Sequence, residues 1–158
     1  MAQNFTAEMP MSYGMYYSMP TTWNFTNGSS FAVTAFPMPG ANENQIIANK
    51  LGRNGFQRIQ QFRDYQPGWD FGCGQAMSEI GFIVLCQFLE RLELPGGMRP
   101  SVFLTQAGHL EVAWEQTDGG KVQAEFGPKG IEFYRENTGA EGILGLTEAP
   151  RAAEILTG

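Results

Sequence analysis

The chain has few of the residues on which metal centres, disulfide scaffolds and most catalytic sites depend. Its 158 residues include two cysteines, Cys73 and Cys86, and one histidine, His109. Two cysteines are too few for the disulfide framework of a small secreted protein. With a single histidine far from both, they do not form a zinc signature. We therefore expect neither a metal ion nor another cofactor.

Long apolar runs are also missing. No stretch reaches the roughly 18 consecutive apolar residues that mark a membrane-spanning helix. No basic region followed by an apolar stretch opens the chain, as it does in a secretory signal. The sequence holds no glycine-rich motif of the phosphate-binding type. These absences predict a cytoplasmic protein that does not enter a membrane.

Basic residues are scarce and unevenly placed. The formal net charge is −6, and no basic residue precedes Lys50. A general nucleic-acid binder needs a basic surface, so we do not expect nucleic acid to be the main partner. Four bases do gather in one predicted helical segment: Lys50, Arg53, Arg58 and Arg63. Weak nucleic-acid binding through residues Lys50–Arg63 is therefore kept as an alternative.

Residues 1–43 are rich in methionine, aromatic residues and proline. Their prolines exclude a long helix, and one strand is predicted at Ser30–Phe36. So many apolar side chains are costly when exposed, and methionines and aromatics suit adaptable binding surfaces. We interpret the segment as an extended arm that packs on its own domain, contacts a partner or forms a homo-oligomer. Its candidate contact residues are Tyr16, Tyr17 and Trp23.

The sequence pattern of residues 44–136 predicts a single α+β domain. The segment Asn44–Tyr65 looks helical, and Gly52 and Gly55 are expected to break it in two. The segment Ser78–Leu94 is apolar around most of its circumference, which predicts a largely buried helix with Ser78 as its N-cap. This second segment is the main helix of the predicted fold.

Four short segments of alternating apolar and polar residues follow this helix, separated by turns that contain glycine. This period-2 pattern predicts an antiparallel meander with one dry face, on which the main helix packs and to which Trp114 belongs. The fold class is therefore α+β, with one main helix on a four-stranded antiparallel meander. Residues 137–158 are interpreted as a tail with one possible helical turn at Ala149–Leu156.

The loop before the main helix carries a family resemblance. The run Pro67-Gly-Trp-Asp, Ser78, and the Gly108 and Trp114 of the following hairpin resemble a group of small uncharacterised bacterial and mobile-element domains. The resemblance covers about residues 67–135, although Phe71 stands where that pattern has glycine. It implies a helix-and-hairpin architecture and a prokaryotic or phage origin, and it carries no catalytic residues. We also expect Trp69 to close the edge of the core.

Three glutamates are the candidate binding residues of the domain. If one hairpin pairs Val112 with Ala124 and the next pairs Phe126 with Ile131, three glutamates align across the wet face of the sheet. They are Glu111, Glu125 and Glu132. Such a row is either a solvated face, eased by nearby bases, or a surface that meets a basic partner.

No pair of carboxylates or nucleophile-and-base motif predicts catalysis. A thiol site built from Cys73, His109 and Asp70 would need the thiol within hydrogen-bond reach of the imidazole. We therefore predict a non-catalytic protein-interaction module, such as an antitoxin-like protein or a phage-encoded inhibitor, that binds a basic partner protein. The alternatives are a small thiol enzyme using Cys73 and His109, and the weak nucleic-acid binder described above.

Overall fold

The computed structural model describes residues 41–158. This part of the chain has three α-helices and a five-stranded antiparallel sheet, so the α+β class is confirmed. The helices are α1 (Ala41–Asp64), α2 (Glu79–Arg91) and α3 (Ala149–Thr157). The strands are β1 (Ser101–Leu104), β2 (Leu110–Glu115), β3 (Lys121–Gly127), β4 (Gly130–Arg135) and β5 (Ala140–Leu144).

The sheet is a simple meander in which each strand pairs with the next, in the order β1-β2-β3-β4-β5. The prediction of four strands is therefore wrong by one strand, because β5 pairs antiparallel with β4. The sequence of β5 lacks a clear alternation, and its side chains are only exposed or half-buried. Its Gly142 lies against the ring of Phe133, and a Cβ there would stand 3.1 Å from two ring carbons. Pairing with β4, rather than its own pattern, makes this segment a strand.

The helix α2 is the centre of the fold, as predicted. The side chain of Ser78 accepts a hydrogen bond from the Gly81 amide at 3.1 Å, which is the expected N-cap. The helix ends at Arg91, three residues before the predicted Leu94, because Leu92 takes an extended conformation. Apolar side chains of α2 pack on those of the sheet, including Phe88 against the buried Trp114. The predicted inward orientation of Trp114 is confirmed.

The helix α1 contacts α2 and β1, and it begins at Ala41, slightly before the predicted Asn44. Gly52 interrupts it with φ 70°, a left-handed conformation that glycine adopts without a steric penalty. The predicted break at Gly55 does not occur, since Gly55 continues the helix. The apolar side chains on either side of the kink, including Ile47 and Ile59, are fully buried.

The segment 137–158, expected to be a tail, holds β5 and the helix α3. The predicted turn at Ala149–Leu156 lies within α3, which packs against α2 and contacts β4. One face of α3 is fully buried through Ala149, Ala152, Ala153 and Leu156. All three helices thus belong to one core with the inner face of the sheet. The opposite, outer face carries exposed and half-buried side chains.

The loop that precedes α2 is held to the β1–β2 turn by backbone hydrogen bonds. The amide of Gln75 donates to Gln106 and the amide of Ser78 donates to Gly108, both at 2.8 Å. Trp69 is half-buried, and its indole Nε1 donates to the carbonyl of Gln75 at 2.8 Å. Trp69 therefore braces its own loop, and its ring stacks on Tyr65, which packs against the core, with ring centroids 5.1 Å apart. That Trp69 closes the edge of the core stays a prediction.

Candidate functional site

The pairing of the central strands aligns the three predicted glutamates. Glu111 of β2 lies opposite Glu125 of β3, and Glu125 lies opposite Glu132 of β4. Both predicted hairpin registers are confirmed, since Val112 pairs with Ala124 and Phe126 pairs with Ile131. Apolar neighbours of each glutamate point to the core, so the period of the strands places the three carboxylates on the outer face. We call this set the glutamate row.

Exposed apolar side chains border the glutamate row. Phe103 of β1 pairs with Glu111, and Ile143 of β5 pairs with Glu132, so they form the two ends of the row. Ile143 is 70% exposed, Phe103 39% and Tyr134 of β4 40%. Sequence reasoning did not identify these three residues as site residues. The signal in Phe103 and Tyr134 was an aromatic residue at an outward position of a strand, whereas Ile143 lay in the strand that was not predicted.

The glutamates of the row repel one another. Burial raises the pKa of the Glu111 carboxyl, and the neighbouring charge of Glu125 raises it further. Both causes disfavour the charged form of Glu111. Like charges that face each other across strands also destabilise the sheet. A positive group placed on this face would relieve that repulsion.

One member of the row is held in place by the single histidine. The Nδ1 atom of His109 lies 2.7 Å from Oε1 of Glu125, within hydrogen-bond distance. The imidazole ring of His109 lies against Gly127 of β3. A Cβ added at Gly127 would stand 2.8 Å from this ring. The absence of a side chain at Gly127 therefore makes room for the imidazole, which orients the Glu125 carboxylate.

A hollow of about 210 Å³ opens between this pair and the β3–β4 turn. Its ionisable lining residues are Glu125, Glu132, His109 and Lys129. The remaining lining residues come from the turn and are Gly127, Pro128 and Gly130. The hollow thus lies at one edge of the glutamate row. It is lined by two glutamates, whose carboxylates are hydrogen-bond acceptors, and its volume can accommodate a side chain.

The side chains of the predicted thiol site do not interact with one another. Cys73 is exposed, the Asp70 carboxylate accepts a hydrogen bond from Gln106 Nε2 at 2.5 Å, and His109 interacts with Glu125. The Cys73 amide donates to the Asp70 carbonyl at 2.8 Å, but within residues 41–158 no hydrogen bond joins the Cys73 thiol to the His109 imidazole or to the Asp70 carboxylate. Cys86 is buried in α2, and burial, followed by the nearby Glu43 carboxylate, raises the pKa of its thiol to about 12.

Most of the predicted basic residues on α1 interact with other residues of the domain. The Nζ atom of Lys50 donates to the Leu92 carbonyl at 2.6 Å and pairs with Glu93 at 3.1 Å. The guanidinium of Arg63 lies over the ring of Phe82, while that of Arg58 lies over Phe103. Arg53 is exposed. The four bases therefore do not form a common row of free cations.

The remaining predicted site residues, Tyr16, Tyr17 and Trp23, and the predicted strand Ser30–Phe36 lie outside the described residues. Oligomerisation through residues 1–43 therefore stays a prediction. Across residues 41–158, no three histidine, cysteine or acidic side chains are grouped so that they could hold a metal ion. None of the helices in this part of the chain has the length and apolar character needed to cross a membrane.

Comparison with known protein families, curated proteins and solved structures finds no match to this chain.

Proposed function

We propose that this protein is a non-catalytic interaction module that binds a basic partner protein through the outer face of its sheet. The observation that carries the proposal is the alignment of Glu111, Glu125 and Glu132 on neighbouring strands. An exposed apolar side chain borders this row at each end.

Charge complementarity defines the chemistry of the partner. Each like-charged cross-strand pair destabilises a sheet by a few tenths of a kcal/mol up to about 1 kcal/mol. A basic surface that docks on the row replaces this repulsion with attraction and also speeds the diffusional encounter. The acidic balance of the whole chain, with a sequence pI near 4.7, acts in the same direction.

The apolar borders supply the contact area that charge alone does not provide. Phe103 on β1 and Ile143 on β5 flank the glutamate row, and the line of residues from one to the other crosses five strands. At about 4.8 Å between neighbouring strands, this line is about 19 Å long. A central polar row with apolar ends fits a small interface of the transient kind. Binding by an antitoxin-like protein or a phage-encoded inhibitor belongs to this class of interaction.

The experiment compares capture of proteins from a lysate of the native host by three forms of the full chain. The test variant replaces the row, with Glu111→Gln, Glu125→Gln and Glu132→Gln. The matched control replaces three exposed acids on the helices, with Asp64→Asn, Glu90→Gln and Glu154→Gln, which changes the net charge equally. We expect the wild type and the control to capture the same basic protein and the row variant to lose it.

Two results contradict the proposal. Equal loss by both variants would mean that total charge, rather than this face, governs binding. A captured partner that stays bound to the row variant would place the interface elsewhere on the protein. Circular dichroism of all three forms verifies that the substitutions leave the fold intact.

A further inference from the structure

The hollow beside the glutamate row has the size and the acceptors of a site for one side chain. Its volume is about 210 Å³. Glu125 and Glu132 are directly paired across β3 and β4, so their Cβ atoms are about 4.5–5.5 Å apart. Two carboxylates at this separation present several acceptor positions toward the same space.

One of the two carboxylates, that of Glu125, is held in place by His109. His109 uses its Nδ1 atom to contact one oxygen of Glu125, at 2.7 Å. With a proton on Nδ1 the imidazole donates this hydrogen bond, which restricts the rotation of the carboxylate and leaves its second oxygen as an acceptor. A preoriented acceptor loses less conformational entropy when a ligand binds.

The charges on the wall favour a cation over an anion. The lining includes two acidic residues and one lysine, Lys129, and Glu111 adds a third acidic residue opposite Glu125. Lys129 is exposed on the turn, where water screens its charge. A cation in the hollow would therefore experience net attraction, reduced by Lys129.

We infer that the hollow receives an arginine side chain of the partner protein, and that this arginine anchors the interface. The inference rests on the proposed function and adds to it the residue that the site recognises. A guanidinium is planar and offers five donors in a fixed fork, which can bridge two carboxylates. A lysine ammonium is a compact, strongly hydrated charge that lacks this fork, so the site discriminates between the two.

The surface beside the hollow includes an apolar side chain, which suits an apolar partner residue next to that arginine. Ile143 lies against the turn, since a Cβ added at Gly130 would stand 3.2 Å from its Cγ2 atom. Its side chain is 70% exposed. An apolar residue next to the arginine would cover Ile143 and shield the ion pairs from water, as in the centres of many interfaces.

The test is a nuclear magnetic resonance titration of the isotope-labelled full chain with three capped peptides. These peptides are Leu-Arg-Leu, Leu-Lys-Leu and Leu-citrulline-Leu, where citrulline has the shape of arginine without its charge. We expect the arginine peptide to shift the amide signals of His109, Gly127 and Gly130 in a saturable manner. Its dissociation constant should be lower than that of the lysine peptide by about threefold or more, and the citrulline peptide should not saturate.

Variants of the full chain localise the effect. Glu132→Gln should weaken binding of the arginine peptide by about threefold or more, while Lys129→Ala should strengthen it because a repelling charge is removed. Glu154→Gln, which changes the net charge equally on the distant helix α3, should leave the dissociation constant unchanged. Signals far from the hollow report whether each variant keeps its fold.

The outcomes separate this inference from the proposed function. Equal affinities for the arginine and lysine peptides, or no response to Glu132→Gln, would overturn the arginine anchor, as would the absence of any shift near the hollow. Each of these results leaves the host-lysate experiment free to support a basic partner that docks by another part of the row. Conversely, a saturable arginine site combined with unchanged capture by the row variant would reject the proposed function alone.

Discussion

Glu111 carries an electrostatic cost in the folded protein. Burial raises the pKa of its carboxyl above the ordinary value of 4.5, and the charge of Glu125 adds to the shift. In the folded state the charged form is therefore disfavoured relative to the unfolded chain. The folded state binds a proton more tightly, so this group destabilises the protein at pH values above its folded pKa. This destabilisation disappears as the pH falls to the ordinary pKa of the carboxyl, 4.5.

Glu111→Gln is accordingly expected to stabilise the protein at pH 7. The gain should be about 0.2–1 kcal/mol, the range for a like-charged cross-strand pair, and it should shrink as the pH is lowered towards 4.5. Urea denaturation at several pH values measures it. Glu154→Gln, exposed on α3, serves as the control and should show little change. A gain that is independent of pH would show that the charge of Glu111 is not its cause.

The two cysteines differ in exposure, and this difference predicts their reactivity. Cys73 is exposed in the loop before α2, whereas burial raises the pKa of the Cys86 thiol to about 12. Because the thiolate is the reactive form, an aromatic disulfide reagent should modify one thiol in the native protein and two in denaturant. Cys73→Ser should remove the native reaction. Rapid modification of two thiols in the folded protein would contradict the packing of α2.

At the scale of elements, α2 approaches the backbone of β3 closely at Gly81. A Cβ at Gly81 would collide with the backbone carbonyl of Phe126, which cannot move without disturbing the sheet. Gly81→Ala is therefore expected to destabilise the protein by about 1–3 kcal/mol, the range for overpacking, despite the higher helix propensity of alanine. Thermal or urea unfolding measures the loss. Gln87→Ala, at an exposed position of α2, should be nearly neutral.

The elements also differ in how far their sequences predict them. The registers of β2, β3 and β4 follow from strict alternation, because a slip by one residue would exchange the dry and wet faces. The strand β5 was not predicted, because none of its residues is buried and its sequence shows no alternation of apolar and polar residues. The glutamate row was therefore predictable, while its border at Ile143 was not.

At the scale of the whole molecule, the C-terminal segment completes the core. Leu156 of α3 is fully buried with residues of α2 and the sheet. Leu156→Ala is expected to destabilise the protein by about 2–5 kcal/mol, because it removes buried methyl groups and leaves a cavity. Urea denaturation tests this value against Glu154→Ala, an exposed change in the same helix. A loss below about 1 kcal/mol would indicate that α3 is only loosely attached.

The sequence by itself determined the α+β class, the main helix with its Ser78 cap, and the alignment of the three glutamates. Each of these follows from local periodicity or from a single capping side chain, which act over a few residues. Only the tertiary structure decided the place of β5 and α3, the contact between His109 and Glu125, and the hollow beside them. These features depend on strand pairing and on close approaches at glycines, such as Gly127, between segments distant in the chain. No local pattern encodes such contacts.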